Sequence, residues 1–230
     1  MEQHFLPGEP RIGVVLRRSS RARRISLRVS RLDGRVTLTL PNGVREGEAL
    51  AFADEKADWI RKQLERQPDQ VAVGLGVDLP FEGRPLRLVA GGGRSVQVSG
   101  GEIRVPGQPE QAATRVQAFL NTMARDRLVA ASDRYAARLG RTYSRITIRD
   151  TRSRWGSCSS KGALMYSWRL VMAPSAVLEY VAAHEVAHLA EMNHSAAFWK
   201  VVEDIHGPYD PLRRWLRDNS ELLHRYRFGD

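Results

Sequence analysis

Between Val177 and Ala190 the chain is almost uninterruptedly apolar: only Glu179 and Glu185 are charged, and two histidines, His184 and His188, stand four residues apart. At 100° per residue, Val177, Val181, His184 and His188 fall in one narrow stripe of a helix, with Glu185 just beside it. Such a helix must be buried, and buried imidazoles need polar partners. A single metal ion between them would satisfy both, because residues four apart project from the same face about one turn apart. The plainer alternative is a pair of core histidines bonded to backbone groups, with Glu185 in an ion pair.

His184-Glu185-Val186-Ala187-His188 is also the H-E-x-x-H pattern found in zinc peptidases, where the glutamate serves as general base. A hydrolytic zinc takes three protein ligands and leaves one position for water, and His194 is the candidate third ligand. Six more residues of helix would carry His194 about 240° around from His188, so the chain must turn after about Glu191. Asn193 is read as a left-handed helix end and Ser195 as the N-cap of a helix through Phe198, Trp199, Val202 and Ile205. Metzincins share this histidine spacing but carry glycine where this chain has Glu191. The alternative here is ordinary helix–turn–helix packing with His194 merely at a helix start.

Upstream lie Arg154-Trp155-Gly156-Ser157-Cys158-Ser159-Ser160-Lys161-Gly162 and Trp168-Arg169-Leu170-Val171-Met172-Ala173-Pro174. Tyr180-Val181 then runs into the histidine motif, and Asn193-His194-Ser195 precedes Phe198-Trp199. In this order the motifs closely resemble the YgjP-like metallopeptidase family, related to the SprT-like and Wss1-like zinc proteases. The similarity runs from about Gly13 to Arg214-Trp215-Leu216. It implies a single domain over residues 12–226 with His184, His188 and His194 as zinc ligands and Glu185 as catalytic base. It also implies a peptide or protein substrate, and a zincin-like catalytic part.

The fold class expected is α+β: an antiparallel β-rich part over 12–106, then a mainly helical catalytic part over 107–230, with a seam near Pro106–Pro109. Ile25, Leu27 and Val29 alternate with polar residues, and Asp33-Gly34 turns the chain into Val36–Leu40 as a hairpin. A helix with Leu50, Phe52, Ala53, Ala57, Ile60 and Leu64 runs until Pro68. Strands are expected at Leu86–Val89, Val96–Val98, Ile103–Val105, Arg145–Arg149 and Ala163–Val171. A long helix opens at Pro109 and ends at Gly140.

No apolar run approaches the roughly 20 residues of a membrane span, and the first ten residues lack the pattern of a secretory signal. One cysteine, Cys158, excludes an internal disulfide and fits a reducing compartment, so cytoplasm is the expected location. Cys158 also raises the alternative of a fourth ligand closing a structural zinc site. Trp155 and Trp168 read as core anchors. His206 and Tyr209 are candidates to stabilise an oxyanion, although His206-Gly207-Pro208 equally reads as a helix end.

The net charge is +10, and between Arg11 and Arg35 nine arginines face one acid, Asp33, leaving that segment at +8. With Arg24 and Arg28 on the polar face of the hairpin, it could track a phosphate backbone. The alternative is a solvated arginine face, and the absence of aromatics from Gly13 to Leu50 argues against base stacking. The expected activity is hydrolysis of peptide bonds by metal-activated water. Its rivals are a nucleic-acid-associated binding protein with structural zinc, and a protease acting on DNA-bound proteins.

Overall fold

Along Val36–Leu40 the alternate residues Val36, Leu38 and Leu40 are buried, the period of two imposed on a strand with one covered face. The computed structural model describes residues 3–30, 34–65 and 69–229 and divides into two compact units between Asp69 and Gln70. In the first, β1 (Gln3–Leu6), β2 (Ile12–Arg18), β3 (Ser26–Val29) and β4 (Val36–Leu40) form a sheet of order β1-β2-β4-β3. Helices α1 (Glu46–Glu55) and α2 (Ala57–Glu65) bury Ala49, Ala53, Ala57 and Ile60 in one cluster with Val14 and Leu38. Among the described residues, no helix is long and apolar enough to cross a membrane.

The expected hairpin forms: β3 pairs antiparallel with β4, Ser26 opposite Thr39. Ile25, Leu27 and Val29 pack toward the core, and Arg24 and Arg28 are exposed. Asp33 of its turn lies outside the described residues, as does Pro68. The single helix expected up to Pro68 breaks at Lys56; Ala53, Ala57 and Ile60 stay buried across the break, so their spacing reads as one helix. Part of the arginine-rich segment is structural. Arg18 donates to the carbonyls of Asn42 and Val44 and pairs with Glu46.

The second unit opens with β5 (Val71–Ala72) and a sheet built from β6 (Asp78–Phe81), β7 (Arg84–Ala90), β8 (Gln97–Ser99) and β9 (Glu102–Val105), in the order β6-β7-β9-β8. Both four-stranded sheets thus share one strand order, and in both the middle pair is parallel, β2 with β4 and β7 with β9. The antiparallel pattern expected for this part therefore holds only for the outer pairs. The third strand of each set takes the outer edge and the fourth inserts beside the second.

The long helix α3 (Ala112–Leu139) follows a short 3-10 turn at Pro109–Gln111, and Gly140 ends it in the left-handed conformation at φ 64°. Next come β10 (Arg145–Arg149), β11 (Gly156–Cys158) and β12 (Ala163–Ser167) in the order β10-β12-β11, which leaves β11 at an edge. Then α4 (Ser175–Ala187), α5 (Ala196–His206), α6 (Asp210–His224) and β13 (Tyr226–Arg227) complete an α+β architecture. On either side of Pro106–Pro109, Ile103 and Val105 of β9 share one buried cluster with Val116 and Leu120 of α3, and the division into compact units falls between Asp69 and Gln70.

The strand expected through Val171 stops at Ser167, and Trp168–Met172 is a 3-10 turn buried throughout. Its one charged residue, Arg169, grips Asp150 with two bonds of 2.8 and 3.1 Å and donates to the carbonyls of Leu223 and Tyr226. The guanidinium also lies 4.6 Å over the Trp168 ring. It ties the ends of β10 and α6 to the turn. Beside it His224 is buried against Trp155, with ring centroids 5.0 Å apart. Burial, then the Arg169 charge, lowers its pKa to about 4.

Two outcomes follow. Arg169→Ala should cost about 1–3 kcal/mol in urea unfolding, because it leaves the buried Leu223 carbonyl without its donor. His224 has a folded pKa near 4 against 6.5 for the free side chain, so unfolding takes up a proton in that window. Its contribution to stability should be full above pH 6.5 and fall away as pH drops toward 4. His224→Gln should therefore flatten the melting temperature between pH 6.5 and 4; an unchanged slope would place the acid sensitivity elsewhere.

Candidate metal centre

Helix α4 is covered on nearly every side, with Val177, Leu178, Val181, Ala182, Ala183, Val186 and Ala187 all buried. It packs against α3, α5 and α6, and this explains why the sequence carries so little charge there. His184 lies in its last turn and His188 caps its C-terminus with helical backbone angles. The chain then leaves the axis through a tight turn in which Ala187 accepts the N–H groups of Ala190 and Glu191.

The turn brings His194 back. The ring centroids stand 5.1 Å apart for His184 and His188, 5.0 Å for His184 and His194, and 4.9 Å for His188 and His194. One nitrogen from each lies within 4.8 Å of the others. Asn193 reaches this result differently from expectation. Its backbone is not left-handed; its Oδ1 accepts the Ser195 N–H at 3.0 Å, an Asx-type turn. Ser195 is the N-cap of α5 as expected, its hydroxyl accepting from Phe198 N–H. Phe198, fully buried, touches all three imidazoles at 4.4 to 4.9 Å between centroids.

The donor chemistry fits a cation. His188 Nδ1 sits 2.9 Å from the Glu191 carbonyl, which assigns the proton to Nδ1 and leaves Nε2 as a donor of electrons. The Nε2 atoms of His184 and His194 face each other at 3.1 Å, and His184 Nδ1 is buried without a hydrogen-bond partner. Burial, reinforced by His188 and His194, pushes the pKa of His184 down to about 3; burial also lowers that of His188. Both are therefore neutral at pH 7, the form that binds a metal.

Glu185 is 6% exposed, and burial lifts its carboxyl to about 8, opposed by the charge of Arg154. It forms part of a cleft of about 410 Å³ that also holds the three histidines, with Arg154, Gly156 and Cys158 on one wall and Met192 on another. Gly156 explains a motif position that spacing alone did not. A Cβ there would stand 2.6 Å from Cγ and Oε1 of Glu185, so the glycine makes room for the carboxylate.

The remaining candidates fall outside the triad of imidazoles. Cys158 is half-buried, its thiol directed to the Ser159 carbonyl at 3.4 Å and raised to about 11 by burial and by Glu185. It is absent from the convergent donors among the described residues. His206 ends α5 against Tyr135 and Tyr180, and Tyr209 stacks between Tyr180 and Trp199. Neither lines the cleft. Trp168 is a core anchor; Trp155 is half-buried and donates to Ser220 at 3.1 Å.

Gly156→Ala should destabilise the protein by about 1–3 kcal/mol through overpacking, and that cost should shrink when Glu185→Ala is added. Thermal unfolding of the four proteins in this cycle measures the coupling. Additive costs would show that Gly156 does not accommodate Glu185.

A family model described as the YgjP-like metallopeptidase domain matches residues 23–219. The crystal structure of the metallopeptidase zymogen of Pyrococcus abyssi abylysin matches at 20% identity with a TM-score of 0.36, over 41% of this chain and 94% of that one. No curated protein sequence matches. With the family model spanning most of its length, the chain belongs to the YgjP-like metallopeptidase family.

Proposed function

We propose that this protein is a zinc peptidase in which His184, His188 and His194 hold the metal and Glu185 is the general base. The observation that carries the reading is three convergent imidazoles beside a buried carboxylate at an open cleft. A zinc ion bound there supplies Lewis acidity, polarising a carbonyl and lowering the pKa of water toward 7. The chain's own groups do the rest. Glu185 takes a proton from the attacking water as the water oxygen bonds to the amide carbon. It then delivers that proton to the leaving nitrogen as the carbon–nitrogen bond breaks. Its burial favours the protonated state between these steps, and the charge of a metal held by the three histidines would favour the carboxylate that first accepts the proton.

Negative charge develops on the carbonyl oxygen in this sequence, and a pre-placed donor lowers its cost. Arg154 is the cationic side chain on the cleft wall, anchored where Thr151 Oγ1 donates to its backbone carbonyl at 2.9 Å. It takes the role that His206 and Tyr209 do not reach. The edge strand β11 forms part of the same wall, and its open side suits an extended polypeptide.

A structural zinc site would need a fourth side chain, and the orientation of Cys158 toward Ser159 speaks against it. The expected result is that zinc-loaded protein cleaves an unfolded casein and that chelation stops it. Glu185→Gln should retain one zinc per chain and lose about 10²–10⁴ in rate, whereas His184→Ala should lose the metal itself. If Glu185→Gln cleaves as fast as wild type, the peptidase reading fails.

A further inference from the structure

His188 and Met192 have a second cavity on their other side. It measures about 360 Å³ and adjoins the catalytic cleft, since the same two residues line both. The rest of its lining is Arg141 and Lys161 with Thr142, Ser159, Ser160, Gly162 and the apolar Leu189, and no acidic residue. Both cations are exposed, and among the described residues neither is paired with a carboxylate.

The backbone beneath these charges is held firmly. Arg141 follows the left-handed Gly140 that ends α3, and its N–H donates to the Ala136 carbonyl at 3.0 Å. Lys161 sits in the turn from Ser159 to Gly162, which is closed by Gly162 N–H to the Ser159 carbonyl at 2.9 Å. The Ser159 hydroxyl accepts from Ala163 N–H at 3.1 Å. Ser144 N–H donates to the Gly162 carbonyl at 2.8 Å, joining the two cation-bearing segments. Two positive side chains therefore rise from a fixed frame into one polar cavity.

The position of the cavity along the chain is equally informative. Strand β11 starts at Gly156, against Glu185, and leads through Cys158 straight into Ser159 and Ser160. A polypeptide laid on the open edge of β11 would pass from Glu185 to Lys161 within roughly three to five residues, at about 3.3 Å per extended residue. A group it carries there meets positive charge with no competing acid.

We infer that this second cavity is a substrate subsite that takes a carboxylate of the bound polypeptide, from an acidic side chain or from its C-terminus. The inference rests on the cleft being a peptide-binding site. Electrostatic complementarity of this kind sets specificity more than raw affinity, and two exposed cations support a preference of about fivefold to tenfold.

The test measures binding apart from cleavage. Zinc-loaded Glu185→Gln protein is titrated with fluorescent decapeptide libraries, acetylated and amidated at their ends, that carry Glu, Gln or Lys at one fixed position in turn. Uncapped Gln peptides report the C-terminal carboxylate. The expected result is about fivefold to tenfold tighter binding of a carboxylate at one position, weakened by salt. The preference should vanish in Arg141→Gln/Lys161→Gln and turn toward Lys in Arg141→Glu/Lys161→Glu. Both side chains are exposed, so the melting temperature should hold. Equal binding of Glu, Gln and Lys peptides, or a preference that survives charge reversal, overturns the subsite. The wild type reports separately on the parent reading. If it binds with the expected preference and cleaves none of the peptides, the subsite stands and the peptidase assignment falls.

Discussion

Three imidazoles cannot meet at one point from a single straight helix when the third lies six residues past the second. At 100° per residue His194 would face away from His188, so everything at this site depends on ending α4 on time. The helix stops at Ala187, while His188 keeps helical angles and so remains one turn from His184. Asn193 and Ser195 then re-aim the chain, the first by its Asx-type bond and the second by capping α5. Phe198, two residues into the regular path of α5, closes the arrangement from below by packing on all three rings. The same side chain thus anchors the new helix in the core and fixes the rings that the turn assembled.

A second constraint concerns charge. A carboxyl group buried to 6% exposure resists ionisation, and the site sets two influences against each other. Burial raises Glu185 to about 8; Arg154 opposes it from the cleft wall. Gly156 lies where a larger residue would displace that carboxylate, so Arg154 and Gly156, two residues apart, govern the charge and the space of one group. This gives a physical reason for a motif whose positions resemble a family pattern.

Legibility followed from how local each cause was. The stripe of His184, Glu185 and His188, the cap at Ser195 and the end of α3 at Gly140 rest on spacing and on single-residue preferences, and these are written in the chain. The alternation of Ile25, Leu27 and Val29 likewise revealed a strand and its partner. The parallel middle pairs were not legible, because insertion of β4 beside β2 depends on contacts between distant segments. The division between Asp69 and Gln70 was missed for a related reason: Pro106–Pro109 looks like a linker, yet Val105 and Val116 on its two sides share a core. Trp168–Val171 read as strand because it is mostly apolar. It is buried on all sides, and periodicity carries no information there.

Charge placement is where sequence counting misleads most, because an arginine's role depends on what its side chain meets. Arg18 belongs to the strongly basic N-terminal segment, yet its guanidinium is spent on Asn42, Val44 and Glu46. Arg169 stands in an apolar run and holds together the ends of β10 and α6 from inside the core. Arg24 and Arg28 are exposed, consistent with a solvated face as well as with phosphate contacts. Arg154 and Arg141 lie far outside that N-terminal segment, yet the fold places each on the wall of a cavity beside the imidazoles. A net charge of +10 is therefore several populations: one that builds the structure, one that keeps its surface solvated, and a small one that the fold sets where a substrate would meet it.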